Sequence, residues 1–234
     1  MTNLSPAQHQ IQYVGNFHDL VSTPFQGAIN AICWHRQQAG DFGEIVNKLP
    51  LGDNNNMAVI EEEELVELSL SAQGQLAREV LLQDMELLKA HGASPVLNII
   101  RCYERDDAFA FFPTDVYSFH VDRSPIPTDT FLCTYYGEPS DILPNEHALQ
   151  KVLVPEIREE LKKRYTGTPE GFESFLSEHF FDLHYMAKPG AQTISLGTGH
   201  LWRLAIDHPG LEVPPCVHRA PKEKTGEPRL LLIC

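Results

Sequence analysis

The residues whose types and spacing could do chemistry are His120, Asp122, His218 and Arg229. His120-Val121-Asp122 follows a short run of β-formers, Val116 to Phe119. In an extended strand, residues two apart project to the same side, so this imidazole and this carboxylate can reach one ion. On a helix the same pair would diverge. With 11 His and 32 acidic residues in the chain, roughly one His-x-acid triplet is expected by chance. Alone, the triplet therefore carries little information. The second half of the pattern adds more. His218 is followed, after ten intervening residues, by Arg229. Between them Lys222 to Pro228 (KEKTGEP) has the composition of a polar turn, and Arg229 opens a β-rich run. Two antiparallel strands joined there would present His218 and Arg229 to one cavity.

Two imidazoles and one carboxylate leave open positions on Fe(II). A 2-oxo acid can fill two of them through its keto oxygen and C1 carboxylate. Its distant carboxylate then needs a cation with a planar fork, which arginine supplies better than lysine. Plainer readings stand beside this one: a hydrogen-bonded His-Asp pair in a core, a surface histidine beside Pro214 and Pro215, and a strand-end arginine paired with a carboxylate. His179, Asp182 and His184 form a rival cluster, but its strand and helix spacings cannot align all three on one element. Arg123 and Arg219, each next to a proposed ligand, should point away from it along a strand. Trp202 is more readily a core residue than a cavity wall. No G-x-S-x-G elbow, phosphate-binding G-x-x-x-x-G-K-[ST] loop or G-x-G-x-x-G fingerprint is present.

His120-x-Asp122 followed by His218-x10-Arg229 resembles the Fe(II)/2-oxoglutarate-dependent dioxygenases. The resemblance implies a double-stranded β-helix, the jelly roll shared with cupins. It implies iron ligation by His120, Asp122 and His218, and binding of the 2-oxoglutarate C5 carboxylate by Arg229. Many of these enzymes place Ser or Thr two residues after the arginine; here that residue is Leu231. Thr134 or Tyr136, on the strand after the His-x-Asp, is expected to supply the hydroxyl instead. NAICWHR at Asn30 to Arg36, FHVD and CTYYG between Phe119 and Gly137, and HRAP and RLLLI between Val217 and Ile233 also resemble a bacterial family of uncharacterised proteins, domain of unknown function 1826.

The implied activity is oxidation of a small-molecule substrate by O2. Two alternatives keep the metal or the cavity without the cosubstrate. One is a cupin-like hydrolase or cosubstrate-free dioxygenase; the other is a non-enzymatic small-molecule binding module.

The elements that must position these residues read as α+β, mainly antiparallel β with flanking helices, in a single domain over 1–234. Short β-rich runs occupy residues 28–34, 96–103, 130–136, 193–196, 200–206 and 229–233. Helical patterns fall in residues 41–92, with Asp41 as an N-cap, a continuous stretch from Glu61 to His91, and Gly92 as its stop. Leu76, Val80, Met85 and Leu88 with Ala77 and Leu81 make its apolar stripe. The Gly52 to Asn56 stretch (GDNNN) reads as an exposed loop. A partly helical insertion at residues 139–190 separates the two halves of the site and is expected to cover the cavity.

Composition narrows the partners. The net charge of −14 disfavours nucleic acid and anionic lipid. No apolar run approaches the ~18 residues of a membrane span, and the N-terminus shows no secretory pattern. The five cysteines are widely spaced, as in a cytoplasmic protein with reduced thiols.

Overall fold

The computed structural model describes residues 9–49, 51–52, 55–106, 111–222, 224 and 227–234. Its strands, in chain order, are β1 (Ile11–Val14), β2 (Ala31–Trp34), β3 (Met57–Ile60), β4 (Val96–Ile100), β5 (Phe119–His120), β6 (Asp129–Tyr136) and β7 (Asp141–Ile142). They continue with β8 (Ala148–Gln150), β9 (His184–Ala187), β10 (Ile194–Ser195), β11 (Leu201–Ala205), β12 (His218–Arg219) and β13 (Arg229–Ile233). The α-helices are α1 (Phe17–Ser22), α2 (Phe42–Lys48), α3 (Glu62–Glu67), α4 (Ala72–Ala90), α5 (Pro155–Arg164) and α6 (Phe172–Glu178).

The architecture is mixed α+β, built on two mostly antiparallel sheets. The larger runs β1-β2-β11-β6-β13-β4-β3 and the smaller β10-β7-β12-β5-β9-β8. Among the described strands, only β1 and β2 pair in parallel. Strand alternation divides the large sheet's side chains between two cores. Phe131, Cys133, Leu230 and Leu232 pack under the helices with Leu81, Leu88 and Ile45. Leu132, Leu231, Trp202 and Cys33 face the small sheet, meeting Ile142 and Cys216. Burial on both faces explains why β13 reads as an unbroken apolar run after Arg229.

Local signals set several boundaries. Asp41 caps α2, accepting from the Glu44 amide at 3.0 Å. Gly92, at φ +95°, lets the Ala93 amide return to the Leu88 carbonyl at 3.0 Å, ending α4. Other expectations need correction. The continuous stretch from Glu61 to His91 is two helices, because Ser71 caps α4 through the Gly74 amide at 3.2 Å. Leu76 is 40 % exposed; the buried stripe is Ala77, Leu81, Met85 and Leu88. The GDNNN loop and the Lys222 to Pro228 turn lie partly outside the described residues.

Two corrections bear on the site. β12 and β13 do not pair as a hairpin: β12 belongs to the small sheet, between β5 and β7, and β13 is central in the large one. Residues 139–190 are woven into the small sheet rather than laid over it, since β7 pairs β12 and β9 pairs β5. Helices α5 and α6 close a separate apolar cluster of Leu161, Phe172, Leu176 and Phe181 with Phe112.

Candidate metal centre

The register of the small sheet lines up three histidines. His218 on β12 is directly opposite His120 on β5, and His120 is directly opposite His184 on β9. Asp122, two residues beyond His120, turns its carboxylate between the first two. Its Oδ1 lies 3.7 Å from His120 Nε2, and its Oδ2 lies 3.7 Å from His218 Nε2. The three residues offer donor atoms that all fall within 4.8 Å of one another.

The remote ring nitrogens are anchored to the backbone. His120 Nδ1 meets the Ser118 carbonyl at 2.8 Å, and His218 Nδ1 meets the Cys216 carbonyl at 3.2 Å. A carbonyl only accepts, so each Nδ1 carries the proton, and in a neutral ring the Nε2 lone pair faces the carboxylate. Burial and the neighbouring His218 push His120 down to about 4, so it is neutral near pH 7. For Asp122, burial opposes ionisation, but His218, the Thr130 hydroxyl and His120 outweigh it and hold the carboxyl low. Thr130 donates to Asp122 Oδ2 at 2.6 Å. At His120 a lone pair therefore faces the carboxylate at a separation too long for a hydrogen bond. That donor set suits a cation better than it suits a core His-Asp pair. Two imidazoles and a carboxylate are a donor set that could hold a divalent transition metal.

Arg229 lines the same cavity, of about 370 Å³. Its side chain is 2 % exposed. Nε and Nη2 donate to Thr134 Oγ1 at 3.3 and 2.8 Å, Nη2 to Ser140 Oγ at 2.7 Å, and Nη1 to the Tyr103 hydroxyl at 3.2 Å. Gly137, at φ +80°, ends β6 against this strand; a Cβ there would lie 3.0 Å from Arg229 Cα.

Thr134 hydrogen-bonds Arg229, whereas Tyr136 packs against the helix-covered core. Leu230 pairs with Tyr136 but Leu231 pairs with Thr134, so Tyr135 is an extra residue in β6. This bulge turns Tyr136 to the helix-covered core beside Tyr135. Ser140 and Tyr103 were invisible in the sequence, because no local pattern links them to Arg229. Of residues 139–190, only Ser140 lines this cavity.

The rival cluster disperses. Asp182 pairs with Arg123 at 2.6 Å, and His179 packs against Phe175 and Phe181. His184 instead lies beside the triad, 4 % exposed, its ring 5.8 Å from that of His120. Burial, then His120 and Lys151, push it down to about 3. Arg219 pairs with Asp141 at 3.0 Å, away from the triad, as strand alternation requires. Trp202 is a core residue, donating to the Leu196 carbonyl at 2.8 Å. The five cysteines are free, and burial pushes Cys33 and Cys133 up to about 12.

Among the described residues, no helix is long and apolar enough to cross a membrane. The chain matches no family model, no curated protein and no solved structure.

Proposed function

We propose that this protein is an Fe(II)/2-oxoglutarate-dependent oxygenase acting on a small molecule, with its two sheets forming a double-stranded β-helix. One observation carries the reading: His120, Asp122, His218 and Arg229, from opposing sheets, line one cavity. When bound, iron and 2-oxoglutarate would supply O2 activation and oxidation of a C–H bond, with succinate and CO2 as co-products.

The chain's own residues do the rest. His120 and His218 offer Nε2 lone pairs, and Asp122 offers the compensating charge. The backbone carbonyls of Ser118 and Cys216 hold the rings in the required tautomer. Arg229 binds the far carboxylate of the oxo acid. The hydroxyls of Thr134 and Ser140 accept from Arg229, which leaves their own hydrogens to donate to that carboxylate. This replaces the hydroxyl that Leu231 lacks. Ile100, Leu132 and Leu231 wall the cavity and keep bulk water from the reacting centre. The free cysteines favour a reducing compartment, the cytoplasm.

The test is aerobic turnover by anaerobically iron-loaded protein. Oxo-acid consumption with release of succinate is expected, and Asp122→Ala should abolish both tight iron binding and turnover. Stoichiometric zinc without succinate, or iron affinity unchanged in Asp122→Ala, would sink the proposal and favour a metallohydrolase.

A further inference from the structure

Asn98 is a polar cavity-wall residue that neither the triad nor Arg229 accounts for. It lies at the middle of β4, a strand paired on both sides, where an apolar residue would be expected. Its side chain lines the metal cavity and the residue is 7 % exposed. Nδ2 donates to the Val96 carbonyl at 3.2 Å, which fixes the amide's orientation, because only the nitrogen can donate there. Among the described residues, no group donates to Oδ1. Oδ1 is not sealed in the core but stays accessible on the cavity wall, where it can accept from a donor outside the chain.

The register shows what surrounds it. On neighbouring strands Arg229 pairs with Ile100, Leu231 with Asn98, and Ile233 with Val96. On the other side Met57 pairs with Ile100 and Val59 with Asn98. Successive rows on one face are roughly 7 Å apart, so Asn98 stands one row beyond Arg229. Beyond that row the wall is Val96 and Ile233, while Met57 stands in the row of Ile100 and Arg229. No charged side chain other than Asp122 and Arg229 lines the cavity among the described residues.

We propose that Asn98 reads the substrate: the cavity takes a neutral, largely aliphatic molecule whose N–H or O–H donates to Asn98 Oδ1. This rests on the oxygenase reading for what happens to that molecule, but not for its recognition. A charged group on these rows would lose its hydration without a counter-charge. A molecule without a donor would displace solvent from Oδ1 without replacing its hydrogen bond.

Two probes with one carbon tail separate these cases: 4-methylpentanamide, which carries N–H donors, and methyl 4-methylpentanoate, which carries none. Calorimetric titration of iron-loaded protein with 2-oxoglutarate, under anaerobic conditions, should show the amide binding about tenfold tighter. Asn98→Leu should weaken the amide about tenfold and leave the ester unchanged. Equal binding of the two probes to the native protein, saturable binding of neither, or a preference that survives Asn98→Leu would overturn the proposal. If Asn98→Leu does not fold, the native comparison decides alone. The same titration on metal-free protein keeps the two readings apart. An amide preference without any succinate production removes the oxygenase and leaves the recognition; succinate production without that preference does the reverse.

Discussion

Replacing Arg229 by methionine should separate recognition of the cosubstrate from binding of the metal. The guanidinium is buried, and its Nε, Nη1 and Nη2 are directed at the hydroxyls of Thr134, Tyr103 and Ser140. A charge-assisted hydrogen bond is worth roughly 1.5–3 kcal/mol, so a bidentate carboxylate would gain about 3–6 kcal/mol from the fork. Part of that is offset, because binding exchanges existing N–H···hydroxyl bonds for new ones. A net loss of about 3 kcal/mol corresponds to about a hundredfold in affinity. The assay is anaerobic titration of iron-loaded protein, read by visible absorbance, with 2-oxoglutarate and with 2-oxobutyrate, which lacks the far carboxylate. The native protein should prefer 2-oxoglutarate about a hundredfold. Arg229→Met should erase the preference and leave 2-oxobutyrate unchanged, while Arg229→Lys, with charge but no fork, should fall between. The truncation also strips three hydroxyls of a partner, a stability cost of about 1–3 kcal/mol, so urea unfolding must first establish that the variant is folded. Selectivity retained in a folded Arg229→Met would refute the assignment of this residue. Equal loss of both oxo acids would show that the substitution damages the metal site instead.

Thr130→Val keeps the β-branched shape but deletes the hydroxyl donated to Asp122 Oδ2. Iron affinity, measured by chelator competition, should fall about 10–100-fold, and an unchanged affinity would mean that this bond does not orient the carboxylate. His184 supplies a pH dependence. Its folded pKa of about 3 lies below the ordinary 6.5, so the fold favours the neutral ring. Its stability contribution is complete above pH 6.5 and is lost as pH falls towards 3, amounting to about 2 kcal/mol at pH 5. Urea unfolding of metal-free protein at pH 7.5 and 5 should show this loss on top of a similar one from His120, which is also held low, and His184→Phe should remove about half of the total; a slope unaffected by the substitution would assign the effect to other groups.

Period-two alternation made half of the candidate site legible. His120 and Asp122 share a side because they stand in and just beyond a strand, and Thr134 falls on the cavity face by the same rule. His218 and Arg229 were legible as a pair but not as a placement. A ten-residue interval suggests a hairpin, yet the strands join different sheets. The reason is packing: β13 is apolar enough to be buried between β6 and β4, whereas β12 contributes only two residues to the smaller sheet. Tyr136 was misplaced by one extra residue in β6, a displacement that no alternation rule reveals. Tyr103, Ser140 and Asn98 reach the cavity only through pairings between segments far apart in sequence. The break at Ser71 had a local signal, a serine able to cap, but the apolar pattern on either side masked it.

The division of the site between two sheets has a mechanical consequence. The small sheet holds His120 and His218 on strands of two residues, each too short to be stable alone, with Asp122 just beyond the first. Their order comes from register with neighbours, and from Leu143, Leu183 and Val217, which pack with Phe119 and Val121 in a cluster of their own. The large sheet holds Arg229 and Asn98 on central strands, backed by the helix-covered core. Between them stands the inter-sheet core, where Leu132 and Leu231 face Ile142 and Cys216. That core sets the spacing between the His120–Asp122–His218 cluster and Arg229. A close-packed spacer transmits small changes in volume rather than absorbing them. The spacing between His218 and Arg229 is thus a packing property of apolar residues such as Leu132, Leu231 and Ile142. The α5–α6 cluster stands apart from that relation, because none of its side chains lines the cavity.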